Sequence, residues 1–421
     1  MSVQLNNKQI NISSIILAGG KGTRLFPLTL FHSKPAICFG GRYRLIDIPI
    51  SNSLNSNIRN IYVLGQYLTT ELQHHLSHTY QFDNFFPGSL DVLTPEELPS
   101  GEKVWYNGTA DAIRKNLTKI YKAPFDYFLI LSGDQLYNIN FYDMLSFAIK
   151  KNADLTIATL PVCEAEAKRM GILKIDKDNL ITDFIEKPQD KKILSQYKVK
   201  TNIKKKPYLG SMGIYIFKRR VLSKLLSEKG DDFGKDLIPI QIKKGITAAF
   251  LYDGYWEDIG TVESFYNANI ALTEKFSGLK TYDEKNPIYT RTNHLPGTKI
   301  KNTILSNSII CEGSIIEAKS VTNSIVGLRS VIKKGTVIAE SILLGNNYYH
   351  RPKNQNLPSK FEIGKNCLIK KAIIDEHVFI GNNVKLVNKD KKDFYNSKKV
   401  HVRDGIIILN RGVFIPDNFT F

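Results

Sequence analysis

Two fold classes follow one another in this chain: an α/β domain, then an all-β parallel β-helix. Three features predict this. The chain has 421 residues, too many for one ordinary core and enough for two. Its first part carries short apolar runs without alternation. From about residue 300, apolar residues recur every six positions.

The α/β reading rests on four runs: Ile15–Ala18, Ile61–Leu64, Tyr127–Leu131 and Leu155–Val162. Runs of this kind suit strands buried on both faces of a mostly parallel sheet. The segments between them are compatible with helix. Thr109–Tyr121 places Ala112, Ile113, Leu117 and Ile120 at helical spacing. A doubly wound sheet binds ligands at the carboxyl ends of its strands, and Gly19-Gly20 and Gly133-Asp134 both lie at such ends. Glu274–Lys301 contains Pro287, Pro296 and Gly297 and reads as a linker. The expected division is residues 1–275, a linker at 276–300, and a β-helix at 301–421. In that last part the repeat runs Ile309, Ile315, Val321, then Ile325, Val331, Val337, then Ile363, Ile369, and Leu368, Ile374, Ile380, Leu386. A six-residue period is neither helical nor that of a hairpin sheet. It fits coils that each stack an aliphatic residue inward. The phase slips between Val321 and Ile325, and a polar loop interrupts at 346–360.

Composition excludes several classes. Hydrophobic residues at 42% and charged residues at 23% are those of a soluble globular protein. No apolar run reaches the roughly 18–20 residues that span a bilayer. Met1–Ser13 is polar, free of Arg and without a signal-peptide core, so a cytoplasmic location is expected. Cys38, Cys163, Cys311 and Cys367 form no C-x-x-C pair and read as reduced thiols. The net charge of +18 is mostly Lys, as at Lys204-Lys205-Lys206 and between Lys389 and Lys399. There is no zinc finger and no aromatic-plus-basic motif, so neither nucleic acid nor membrane is the expected partner. Most of the charge is solvated surface, and part of it suits phosphate-bearing ligands.

The chemistry begins at Leu17-Ala18-Gly19-Gly20-Lys21-Gly22-Thr23-Arg24-Leu25, with Lys34-Pro35 downstream. A strand runs into a loop whose glycines let backbone N–H groups close on a triphosphate. Arg24 adds a planar fork of donors and Lys34 a movable point charge. The spacing is neither that of a Walker A loop nor G-x-G-x-x-G.

This string resembles the sugar-nucleotide pyrophosphorylases, and further blocks narrow the resemblance to the ADP-glucose pyrophosphorylases. They are Tyr43–Pro49 with Ser51-Asn52-Ser53, Trp105 with Gly108–Ala112, Leu131–Asp134, Phe184–Pro188, Ser211–Tyr215, Asp232–Pro239 and Tyr255–Thr261. Tyr252–Asn269 and Val326–Ser330 look most like the plant and cyanobacterial branch. The resemblance implies a Rossmann-like nucleotidyltransferase domain, a left-handed β-helix and a homotetramer. It implies ATP and glucose 1-phosphate as substrates, Mg²⁺ as cofactor, and a product used in glycogen or starch-type glucan synthesis.

Residue by residue, it implies that Asp134 and Asp258 hold Mg²⁺, with Arg24 and Lys34 on the nucleotide phosphates. Inactive family members tend to lose basic residues at these two positions. Gly19, Gly20, Gly22, Thr23, Gln66, Trp105, Tyr106 and Gly108 would serve the nucleotide. Glu186, Lys187, Ser211, Tyr215 and Asp236 would serve the sugar phosphate. The sugar phosphate is already an anion, so catalysis is expected to be positioning and charge neutralisation, without a general base.

Three departures stand out. Relatives with Ala-Gln-Gln before the Trp block read adenine with a glutamine; here the sequence is Pro95-Glu96-Glu97, which accepts but cannot donate. Gln135 stands where relatives carry His. Phe31 and His32 stand where relatives carry Lys and Arg for anionic activators. Arg44, Arg403 and Arg411 fall where plant-type relatives place effector contacts, so a retuned site for a phosphate-bearing effector is expected between the domains. The alternatives are a UTP- or dTTP-dependent relative, a non-catalytic regulatory subunit, and a scaffold protein of the same fold.

Overall fold

The computed structural model describes residues 2–5, 8–83, 85, 87–96, 104–199, 205–350 and 359–421, with side chains from residue 10 onward. Glu97 and Lys204, singled out above, lie outside the described residues.

The N-terminal domain contains the strands Lys8–Ala18 (β1), Asn60–Gly65 (β2), Ser89–Leu93 (β3), Tyr127–Ser132 (β4), Gln135–Tyr137 (β5), Leu155–Val162 (β6), Gly171–Ile175 (β7), Ile181–Glu186 (β8), Tyr208–Lys218 (β9), Thr247–Leu251 (β10) and Trp256–Asp258 (β11). The main sheet runs β8-β7-β9-β4-β1-β2-β3, with β6 also on β9 and β10 on β6. Its centre, β4-β1-β2-β3, is parallel. The long strand β9 pairs antiparallel with β4, β6 and β7. The sheet is therefore mixed, not mostly parallel. Non-alternating runs report burial on both faces and carry no information on strand direction. Burial is indeed double: Ile16, Leu129 and Leu131 pack in one core cluster, and Ile15, Phe128 and Ile130 in the other.

Helix Phe141–Lys150 starts at Asn140, whose side chain accepts from the Tyr142 N–H, and buries Phe141, Met144, Leu145 and Ala148 on one face. The expected helix 109–121 is broken into Thr109–Lys115 and Leu117–Ile120. Asn116 sits at the break, donating to Ala112 O and to the Tyr106 hydroxyl. No helix among the described residues is long and apolar enough to cross a membrane.

The C-terminal domain is a parallel β-helix. One face stacks Lys299–Ile300, Ile315–Ile316 and Val331–Ile332. A second stacks Ile304–Ser306, Ser320–Thr322, Val337–Ala339, Leu368–Lys370 and Lys385–Leu386. A third ends in Ile342–Leu343, Ala372–Ile374 and Ile406–Leu409. The inward phase differs in part from the expected one. Val321, Ile325, Ile363, Ile369, Ile374, Ile380 and Leu386 are buried as expected. Ile315 and Leu368, in contrast, are 40% and 38% exposed, while their neighbours Ile316 and Ile369 are fully buried. The same inversion puts Ile332 and Ile338 inside instead of Val331 and Val337. Adjacent residues of a strand face opposite ways, so an Ile-Ile or Val-Ile pair can bury only one member.

Residues 276–298 contain no helix or strand but are strapped to the first domain. The Tyr289 N–H donates to Ser51, Thr290 to Asp47, and the Lys280 N–H to Asn138. Lys299–Ile300, the end of the expected linker, already forms a β-helix strand. One hydrophobic cluster joins the two domains: Leu25, Leu28, Phe39 and Phe265 pack with Ile325, Ile342, Ile373 and Ile408.

Candidate active site

The parallel strands β1 and β4 end side by side, with Leu17 opposite Ser132. Gly19-Gly20 and Asp134 therefore leave the same edge of the sheet, at the mouth of a cleft of about 880 Å³. Gly22 has φ of +63°, and a Cβ there would lie 2.9 Å from Thr29 Cγ2, so the turn needs glycine twice over. The short helical turn Thr23–Leu25 follows, anchored by the buried Leu25, and turns Arg24 into the cleft. A second such turn, Lys34–Ala36, buries Pro35 and Ala36 and presents Lys34.

Asp258 arrives on β11, which pairs antiparallel with β5 so that Asp258 stands opposite Gln135. The Ile259 N–H donates to Asp134 O at 3.2 Å. This two-stranded ribbon sets the two aspartates together. Lys34 forms an ion pair with Asp134, and Ser132 Oγ donates to the same carboxylate. The space that a Cβ on Gly260 would take lies 3.3 Å from both Arg24 Nη1 and Asp258 Oδ2, so both side chains crowd against this glycine. Burial, then the charge of Asp134, push the Asp258 carboxyl above its usual range against the pull of Lys34, Arg24 and Arg169. Two carboxylates under mutual repulsion, with cations around them, make an oxygen-rich wall of the kind hard divalent cations use.

The other lobe of the cleft is set by β8 and β9. Glu186 ends β8, and Lys187 turns back with φ of +46°, a conformation uncommon outside glycine. Lys187 Nζ lies 3.1 Å from Glu186 Oε1, and its N–H donates to Met170 O. Glycines at 171 and 234 leave room for the Glu186 carboxylate; a Cβ would sit 2.8 and 2.9 Å from Oε2. Strand β9 shifts register between Ser211 and Tyr215, with Gly213 at φ of +72°. That bulge turns Ser211, Met212 and Tyr215 toward the cleft.

Of the expected nucleotide residues, Gly19, Gly20, Gln66, Tyr106 and Gly108 line the cleft. Gln66 holds Tyr106 through both backbone groups, accepting from its N–H at 2.9 Å and donating to its carbonyl at 3.4 Å. Gly22 and Thr23 shape the turn without lining the wall. Trp105 is also off the wall: it is 45% exposed and stacks on Tyr67, which does line it. Asp236 stands outside too, accepting from the N–H groups of Asp231 and Asp232 and so fixing that loop, while Asp232 reaches the cleft. Glu96 is exposed and ion-paired with Lys119. Gln135 donates to Met212 O, tying β5 to the bulge.

Sequence reasoning missed Lys21, Tyr67, Arg169 and Lys206, all on the cleft wall. Lys21 lies over the Tyr67 ring. Arg169 comes from a polar segment with no motif, and Lys206 from a lysine run whose composition marks charge but not position. The three expected effector arginines do not share one set of contacts. Arg44 and Arg411 meet at the domain interface. Arg403 is held between the Phe26 and Phe394 rings, at 5.3 and 4.1 Å, and donates to Tyr395 O, Val402 O and Asn396.

Comparison with known families gives two matches. Residues 13–275 match the model of the nucleotidyl transferase family. Residues 293–420 match that of the GLGC left-handed parallel beta-helix domain.

Proposed function

The chain belongs to the nucleotidyl transferase family, in the two-domain architecture of the glucose-1-phosphate adenylyltransferases, and from that premise we propose that it converts ATP and α-D-glucose 1-phosphate to ADP-glucose and pyrophosphate. The observation that carries this reading is the meeting of Asp134 and Asp258 beside Arg24 and Lys34, where two parallel strands end in glycine.

In this reading a phosphate oxygen of the sugar phosphate bonds to the α-phosphorus. The bond to the bridging oxygen breaks, and pyrophosphate leaves with that electron pair. No proton has to be removed from the nucleophile, and the cleft residues answer to that: they are placed to neutralise and position. Arg24 and Lys34 face the nucleotide phosphates, and the Gly19-Gly20 loop brings backbone to the same oxygens. Lys187 takes the sugar phosphate, and Glu186 the sugar hydroxyls, with Ser211 and Tyr215 beneath them. Asp134 and Asp258 fit Mg²⁺, being two carboxylates that share one wall and repel each other. The ion, when bound, would offset the negative charge that two approaching phosphates build up. The reading extends to a cytoplasmic homotetramer whose product feeds glycogen or starch-type glucan synthesis.

The test is pyrophosphate release from glucose 1-phosphate with ATP, UTP, dTTP and GTP in turn. ATP is expected to give the highest kcat/KM. A better rate with UTP or dTTP would leave a nucleotidyltransferase but remove the adenylyl assignment. Absence of release with every nucleotide would overturn the enzymatic reading in favour of a regulatory subunit or scaffold.

A further inference from the structure

Away from the cleft, six charged side chains meet between the domains. The first domain supplies His32, Arg44 and Glu71, and the β-helix supplies Asp375, Glu376 and Arg411. Arg44 Nη2 lies 2.8 Å from Glu376, and Arg411 Nη2 lies 3.7 Å from the same carboxylate. Arg411 also reaches Glu71 at 3.5 Å. His32 bridges the domains, Nδ1 to Glu71 at 2.8 Å and Nε2 to Asp375 at 3.1 Å. The Asp375 and Glu376 side chains are 0% and 3% exposed. Asn347 Nδ2 donates to Glu376, and the Arg411 N–H to Asp375. Burial alone would lower the His32 pKa, but the charge and hydrogen bond of Asp375 and the hydrogen bond of Glu71 push it up to about 10. Burial alone would raise Glu376, but Arg44, His32 and Arg411 hold it down at about 2. Three cations thus face three anions.

Two guanidinium groups from different domains, aimed at one buried point, make a site for an oxyanion. Here that point is filled by a carboxylate of the chain itself. We propose that Glu376 is a built-in anion: it stands where a phosphate would bind between Arg44 and Arg411, so the domains are joined without a ligand and phosphate compounds have no hold on this interface. The joint reaches the cleft through Arg44 Nη1, which donates to Ala36 O at 2.9 Å, at the end of the turn that presents Lys34. His32 pins the same turn from two residues upstream. Ligand atoms of His32, Glu71 and Glu376 lie within 4.8 Å of one another, a spacing a metal ion could use. The two guanidinium groups facing that point, and the charge already balanced there, disfavour a further cation.

The test is calorimetric titration of the full chain with inorganic phosphate, a readout independent of turnover. Glu376→Ala removes both the charge and the side chain that fills the point. It is expected to bind one more phosphate per chain than the unaltered protein, and Glu376→Ala with Arg411→Ala is expected to lose that extra equivalent. A Glu376→Ala chain that is folded yet binds no additional phosphate would overturn the proposal. Should that variant not fold, Arg411→Ala alone decides. It is expected to leave phosphate binding unchanged, and a lost equivalent would mean that the interface already takes phosphate with Glu376 in place.

Discussion

Replacing His32 with Gln should cost about 3–5 kcal/mol of stability near pH 6.5, and almost none of that electrostatic part near pH 10. Breaking a buried ion pair by removing one partner costs roughly that amount, because the other charge is left buried. The loss falls on Asp375, whose side chain has no solvent exposure. Asp375 keeps the N–H groups of Glu376 and Arg411, which places the cost toward the low end. Glu71 is 24% exposed and keeps both arginines, so its share is small. The folded pKa of His32, at about 10, lies above the unfolded value of about 6.5. Its stabilisation is therefore complete below about pH 6.5 and is lost as pH rises toward 10, at no more than about 1.4 kcal/mol per pH unit. The neighbouring charges leave this window clear. Glu376 titrates near 2, and burial and Arg411 hold His377 at about 4. Burial alone would raise Glu71, but the hydrogen bond and charge of His32 together with the charge of Arg44 hold it below its usual range. Burial raises the Cys38 thiol, and Arg44 is raised by Glu376 against the effect of burial. Urea denaturation of both proteins from pH 6 to 10 measures the gap. A gap that stays constant over this range would refute the charged, bridging His32.

Asp258→Asn should lower kcat by about 10²–10³-fold, as loss of one charge-stabilising group at a reacting centre does, while raising the denaturation midpoint, because the carboxylate is repelled in place. A stability loss instead would mean that Asp258 is structural. Lys187→Gln should raise KM for glucose 1-phosphate by about 10- to 100-fold through a lost charge-assisted bond, with kcat changed much less; an unchanged KM would place the sugar phosphate elsewhere. Gly41→Ala should destabilise the domain joint by about 2–4 kcal/mol in thermal denaturation. Gly41 has φ of +77°, and a Cβ would lie 2.7 Å from Cys311 Sγ and 3.1 Å from Gly327 Cα. A neutral result would show that the interface yields.

Sequence legibility followed the range of the interactions. The β1 and β4 strands and the Gly-rich turn were readable because each is dictated within ten residues by apolar runs, glycine and proline. The hexad period was readable for the same reason, yet its phase was not, since Ile315-Ile316 and Leu368-Ile369 offer two equal candidates for one inward position. Asp134 and Asp258 were found through motif resemblance. What joins them, the register of Gln135 against Asp258, has no local signature. The same limit hid the charge cluster: Arg44 and Arg411 are visible as bare cations, but Arg411 meets Glu71 across 340 residues of chain. Bulges defeat periodicity outright, and the one in β9 places Ser211 and Tyr215 in the cleft.

Because Arg44 braces the Lys34 turn while Glu376 holds Arg44 from the other domain, the two halves of this molecule are not interchangeable parts. A chimera that grafts a foreign C-terminal half onto residues 1–275 would have to import an acidic side chain at the position of Glu376. Lacking it, His32 and Arg44 would share only Glu71 as a counter-charge at the seam, and Lys34 would sit on a turn whose brace is unsupported.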